Sequence, residues 1–261
     1  MIIKDIRTTA LSIPFTDPPR WSLDYNRPRE ILVVDIETTS GLTGMGYLMV
    51  LSGGLRTIKT CIEELLSPVV LGRSIWEVEA IWQDIWKATY WVGRMGVTVF
   101  AQSAIDIALW DALGKRAGLP LYRLWGGAQG GGALPAYGSG CWRGLGQGGM
   151  IEKALAYVEA GFDAIKMQTG HMHSHAEDVA NVAAMREALG DDIAIMVDVN
   201  MGWTTDEAIE VGRRLDQYNI HWLEEPIVAE NFAGYFRVAD ALKTRVVGGE
   251  SHFTHHDLAP F

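Results

Sequence analysis

The sequence predicts an α/β protein in two parts: an α+β half over residues 1–125, then parallel βαβ units of a barrel over 126–261. Three observations lead there. The first fifty residues alternate in apolar character with period two and are broken by turn residues, the rhythm of antiparallel strands. From about residue 134, short β-branched runs alternate with amphipathic stretches, which implies parallel strands joined by helices. Three acids then recur at equal intervals of 26 residues: Asp198 in AIMVDVN, Glu224 in IHWLEEP and Glu250 in RVVGGE. Each sits at or just past the end of such a run. Successive strands of a parallel barrel end on one rim, so this spacing brings three carboxylates together there. Carboxylates in a crevice repel one another unless a cation neutralises them, and hard oxygen ligands suit Mg²⁺, with Mn²⁺ as the substitute.

Taken in order, residues 2–13, 29–39 and 42–50 read as three strands, with SGLTGMG supplying hairpin chemistry between the last two. The stretch 13–28 is rich in proline and polar groups and carries Trp21 and Tyr25. It reads as a long loop, and Trp21 or Tyr25 is expected to close over a substrate as a lid. Tyr47, just after the hairpin glycines, is placed at the same mouth. From 54 to 117 the pattern is helical. Residues 54–66 have apolar positions at helical spacing. Ser74 followed by Glu77 predicts a capping box, and 97–118 is apolar on nearly all sides. Gly118-Leu119-Pro120 stops that helix, and the glycine-rich run 126–132 connects the halves. Strands are then expected at 134–139, 163–168, 194–199, 221–224 and 245–249. Helices are expected at 150–160, 175–189, 205–217 and 231–242. A closed eightfold barrel needs roughly 250 residues, so about half is expected here, as the first five strands of a longer barrel.

Composition narrows the function. The chain has 261 residues, is 48% hydrophobic and carries a formal net charge of −10. With no cluster of Lys and Arg, nucleic acid is excluded as a partner. No run reads as long enough to span a bilayer, and the N-terminus reads as a strand rather than a signal peptide. Cys61 and Cys141 form no CxxC pair, in keeping with a reducing cytoplasm. A small carboxylate substrate stays compatible with the acidic balance, because a bound divalent ion inverts the local field. Ten tryptophans point to core and interface positions, and a homo-oligomer is expected.

The junction segment AQSAIDIALWDALGKRAGLPLYRLWGG, with GFDAIKMQTG, VDVN, EEP and GGE following it, resembles the enolase superfamily, in particular its mandelate racemase-like subgroup of acid-sugar dehydratases and racemases. The resemblance covers the whole chain. It implies a capping domain, a modified (β/α) barrel, and Mg²⁺ held by Asp198, Glu224 and Glu250. The shared chemistry it implies is removal of the proton α to a carboxylate, with the ion stabilising the enediolate. The subgroup's Lys-x-Lys corresponds to Lys166-Met167-Gln168. Lys166 is expected to reach the substrate carboxylate. Gln168 stands at the usual base position but cannot accept a proton, which shifts the expectation from racemisation towards β-elimination. The Asp–His dyad of strands six and seven maps to no residue in 1–261, so the base is expected beyond Phe261.

The sequence therefore predicts a Mg²⁺-dependent dehydratase of an aldonate or aldarate. A racemase, epimerase or cycloisomerase of the same superfamily, or a non-catalytic carboxylate binder, is the alternative. Asn200, two residues past Asp198, is expected to contact substrate, and so is His171 in the run HMHSH. That run reads as a solvated segment rather than a zinc site. Glu225 alternates away from Glu224 and reads as structural.

Overall fold

The computed structural model describes residues 1–14, 28–50, 53–128, 130, 132–171 and 173–261. Trp21 and Tyr25 lie outside the described residues. Two compact units are present, the second beginning its main run at Leu134.

In the first unit, β1 (Ile3–Ile13), β2 (Arg29–Thr38) and β3 (Thr43–Val50) form an antiparallel sheet in that order. Alternation decides its faces. Leu32, Val34 and Ile36 of β2 are wholly buried, and they join a core with α4 (Val97–Ala117). That helix offers the sheet a stripe of small residues, including Ala104, Ala108 and Ala112. Gly44 and Gly46 on β3 let it approach. A Cβ at Gly44 would stand 2.1 Å from the Ala108 carbonyl oxygen, and one at Gly46 2.0 Å from that of Ala104. The remaining helices are α1 (Leu55–Thr60), α2 (Ser67–Val70), α3 (Val78–Ala88) and α5 (Leu121–Leu124).

Three expectations need correction in this unit. The helix expected over 54–66 is α-helical only to Thr60 and turns π-helical over Cys61–Leu66. Ser74 does not begin a helix. Glu77 accepts from the Ser74 amide at 3.2 Å, but the Ser74 hydroxyl reaches the Trp76 amide at 3.4 Å in a turn, and α3 starts at Val78. Finally, α4 at 21 residues is, among the described residues, one helix long and apolar enough by length and composition to cross a membrane. It packs on β3 and β2, as a core helix does.

The second unit holds five parallel strands in the order β4 (Gly138–Cys141), β5 (Ala164–Gln168), β6 (Ala194–Asp198), β7 (Trp222–Glu224) and β8 (Arg245–Val247). Helices α6 (Gly146–Glu159), α7 (His175–Leu189), α8 (Thr205–Leu215) and α9 (Phe232–Ala241) alternate with them, and α10 (Thr254–Leu258) follows β8. Ile165 and Met167, Ile195 and Val197, and Leu223 pack with these helices in one core. By alternation Lys166, Gln168, Asp198 and Glu224 take the opposite face. Capping boxes at Ser174–Glu177 and Thr204–Glu207 start α7 and α8 just past β5 and β6. The first strand was expected at 134–139 but lies at 138–141, followed by a 3₁₀ turn over Arg143–Leu145.

Candidate active site

Strand register builds the site. Gln168, Asp198 and Glu224 are direct neighbours across β5, β6 and β7, so one row of side chains stands at the C-terminal ends of three strands. Lys166 lies one pleat below Gln168 on the same face. Its Nζ is 2.7 Å from Glu224 Oε1 and 3.3 Å from Asp198 Oδ2. All three side chains are largely shielded from solvent, at 13%, 5% and 14% exposure for Lys166, Asp198 and Glu224. A charge that deep is costly unless paired, and these three pair with one another. The indole N–H of Trp222 donates to the other Glu224 oxygen at 2.9 Å.

The electrostatics follow from this crowding. Burial would lower the pKa of Lys166, but its hydrogen bond to Glu224 and the Asp198 and Glu224 charges raise it above its ordinary value. Burial pushes Asp198 up; the Lys166 charge and the Asn200 amide oppose this, while Glu224 adds to it. Glu250, just past β8, keeps solvent contact yet is partly desolvated. It is also pushed up, by that desolvation and by the Asp198 and Glu224 charges against the pull of Lys166. The three acids therefore act on one another through space. Glu225 is a fourth carboxyl in the neighbourhood. Burial, Glu250 and Asp198 push it up to about 7, with Ser251 pulling the other way. Its backbone joins β8, its amide donating to Val247 O at 2.9 Å.

A divalent cation fits this donor set in chemistry and charge. Three carboxylates and one ammonium sum to two negative charges, and mutual repulsion is already raising two of the acids. Asp198 and Glu224 are drawn together by Lys166. Glu250 is coupled to them by charge alone, and among the described residues no three Asp, Glu, His or Cys side chains are close enough to hold a metal ion.

Asn200 is the other centre of the site. At φ 49° it occupies the left-handed region that asparagine tolerates. Its amide donates to Asp198 Oδ1 at 3.0 Å and its carbonyl lies 2.8 Å from His171 Nε2. Its side-chain oxygen accepts from Gln168 Nε2 at 2.9 Å and from Arg143 Nη2 at 3.0 Å. Arg143 is wholly buried. Burial pushes its pKa down to about 10, against the charges of Asp198 and Asp178. Asp178, also buried, accepts from the Gly170 amide at 2.8 Å.

Sequence reasoning thus placed Lys166, Gln168, Asp198, Glu224, Asn200 and His171 together, and Glu250 within their field. It missed Arg143 and Asp178. The first was hidden by the misplaced strand, because a strand ending at Cys141 puts Arg143 at the same rim as the acids. His171, His173 and His175 do not gather: His171 binds the Asn200 carbonyl, while His175 is 3.7 Å from Glu207. Tyr47 sits on β3 in the first unit, opposite Val33 and 57% exposed.

The chain is similar to known proteins in sequence and in fold. Residues 5–126 match the family described as mandelate racemase / muconate lactonizing enzyme, N-terminal domain, and residues 149–261 match that described as enolase C-terminal domain-like. The chain is 36% identical to 3,6-anhydro-alpha-L-galactonate cycloisomerase of Streptomyces coelicolor, covering 98% of this chain and 71% of that protein. It is 34% identical to arabinonate dehydratase of Saccharolobus solfataricus, covering 98% and 69%. The solved structure of a racemase from Streptomyces coelicolor with bound magnesium superposes with a TM-score of 0.93 at 35% identity, over 99% of this chain and 72% of that one.

Proposed function

The chain belongs to the mandelate racemase / muconate lactonizing enzyme family of the enolase superfamily, and from that premise we propose that it is a Mg²⁺-dependent dehydratase of an aldonate or aldarate, yielding a 2-keto-3-deoxy acid. Its α+β N-terminal domain and parallel strands are those of the family's α/β barrel architecture. The single observation that carries the reading is the row Gln168–Asp198–Glu224 at the strand ends, with the Lys166 ammonium between the two acids.

Asp198, Glu224 and Glu250 are the residues we assign to the ion; Mn²⁺ would serve in its place. When bound, the ion would hold the substrate carboxylate and stabilise the negative charge that develops as the α-proton leaves. Lys166 supplies a fixed positive charge beside the same carboxylate, held in place before the substrate arrives. Gln168 and Asn200 bind substrate by hydrogen bonds. The Gln168 amide takes up no proton at neutral pH, so the α-proton goes to another group. His171 turns its ring to the Asn200 carbonyl and so borders the same group of residues. Loss of the α-proton and departure of the β-hydroxyl as water leave an enol, which ketonises.

A cycloisomerase is the second reading, because a relative of that activity is 36% identical to the chain. A ¹H NMR screen of aldonic and aldaric acids in D₂O with Mg²⁺ separates the two. A 2-keto-3-deoxy product is the expected result. Isomerisation or deuterium uptake at the α-carbon without a ketone would favour the second reading. No reaction, and no effect of EDTA on stability, would remove both. We also infer a homo-oligomer in the cytoplasm; the exposed Trp76, Trp91 and Trp125 support the oligomer, with sedimentation as its check.

A further inference from the structure

The hydrogen bonds around Asn200 fix more than its own position. Arginine carries donors and no acceptor. The Asn200 atom that faces the Arg143 guanidinium at 3.0 Å is therefore its oxygen, however freely an amide can otherwise be turned. The Gln168 atom facing that same oxygen at 2.9 Å must then be its NH₂ group. Gln168 Oε1 is therefore the free end of this hydrogen-bond relay. That oxygen is buried and accepts from no described residue. It belongs to the side chain that stands in one row with Asp198 and Glu224, on the face away from the helices.

We propose that Arg143 is a positioning residue that sets the polarity of Gln168, so that the site offers a buried acceptor and selects substrates carrying a hydroxyl at that point over those with a carbonyl, an ether or no oxygen there. The inference rests on the acid-sugar reading and deepens it by naming what one position of the substrate must be. Arg143 is wholly buried, so it acts through Asn200 and Gln168 rather than by touching substrate. The reason for selectivity is the asymmetry of hydrogen bonding. A hydroxyl gives this buried acceptor the donor it lacks, whereas an analogue without one leaves it unpaired, so a site built for a hydroxyl disfavours the analogue that lacks it. Without a donor-only group behind it, the Asn200 amide can turn over, Gln168 turns with it, and the site no longer distinguishes donor from acceptor. The Asn200 backbone N–H donates to Asp198 Oδ1, so the residue that carries this relay is held beside one assigned to the ion.

The test uses the wild type, Arg143→Met, Arg143→Lys and Gln168→Met. Each is assayed on a turned-over acid sugar and on its series of monodeoxy analogues. In the wild type, one deoxy analogue is expected to lose on the order of 10- to 100-fold more kcat/KM than it does in Gln168→Met. In Arg143→Met that ratio falls to the Gln168→Met level at the same hydroxyl, while discrimination at the other hydroxyls persists. Arg143→Lys, still a donor-only group, restores part of it. Selective ¹⁵N-glutamine labelling reads the same relay without turnover. The Gln168 NH₂ signal, identified by its loss in Gln168→Met, is expected to be protected from solvent exchange in the wild type and unprotected in Arg143→Met. Unchanged discrimination or unchanged protection in Arg143→Met overturns the role of Arg143. A uniform loss at every hydroxyl also overturns it, because that is general loosening. A wild type that protects the Gln168 amide but neither binds nor turns over any acid sugar overturns the functional reading instead.

Discussion

In the first unit, α4 lies against β2 and β3 with Gly44 and Gly46 beneath it, and the ion pairs Lys59–Glu63, Arg73–Glu77 and Lys115–Asp111 stay near the surface. In the second unit, Lys166 and Asp198 on the strands, Arg143 in the turn after β4 and Asp178 in the first turn of α7 are shielded from solvent. Exposed pairs contribute about 0–1 kcal/mol each, and the first unit holds together by packing. Buried charges cost several kcal/mol apiece unless partnered. A chain that accepts that cost in one unit and avoids it in the other is separating structure from chemistry. The difference teaches where substitutions should act on turnover and where on stability.

The largest effect expected from this contrast is on turnover. Lys166→Met is expected to lower it by roughly 10²- to 10³-fold with the fold intact, because a prepositioned charge is removed from the row. Removing the ammonium also leaves Asp198 and Glu224 facing each other, so thermal melts of this variant should depend more on Mg²⁺ than those of the wild type. Equal loss of stability and turnover would blur the division. Gly46→Ala should do the reverse, since its Cβ would meet the Ala104 carbonyl oxygen. A loss of about 1–3 kcal/mol in urea unfolding is expected, as for overpacked cores.

Asp106 in α4 sharpens the comparison as the first unit's exception. Burial, with Glu79 nearby, pushes its carboxyl up to about 6. The folded state then holds the proton more tightly than the unfolded state does. The stability linked to that proton is full below the unfolded value near 4 and is lost as pH rises through about 6. Asp106→Asn should therefore gain stability relative to the wild type as pH rises from 4 to 7, by at most about 3 kcal/mol. Melts across that range check it, and a flat difference would show that the carboxyl is not held up by burial. Smallest of all, Lys115→Ala is expected to shift unfolding by less than about 1 kcal/mol, although its pair with Asp111 is well formed.

What could be read from the sequence followed periodicity. The antiparallel strands, the long α4 and the βαβ rhythm showed as alternation or as apolar stretches, and the acids showed as residues at strand ends. The first barrel strand misled because Gly138-Ser139-Gly140-Cys141 has almost no apolar signal, whereas the preceding Ala133-Leu134-Pro135-Ala136 does. With it went Arg143, whose burial no local pattern announces. Ser174-x-x-Glu177 and Thr204-x-x-Glu207 carried the capping signature that Ser74 and Glu77 shared without starting a helix. The relay through Asn200 joins residues 57 and 32 positions apart in the chain, and only the parallel register brings them together.

The most direct test of the division is a Mn²⁺ titration followed by EPR on the wild type and on Asp198→Asn, Glu224→Gln and Glu250→Gln. One bound ion per chain is expected, with affinity reduced at least about tenfold in each variant, since each would remove one of the charged oxygens proposed to hold the ion. Binding that is indifferent to all three substitutions, or no binding at all, would contradict the claim that the strand ends of the second unit are built around a divalent cation.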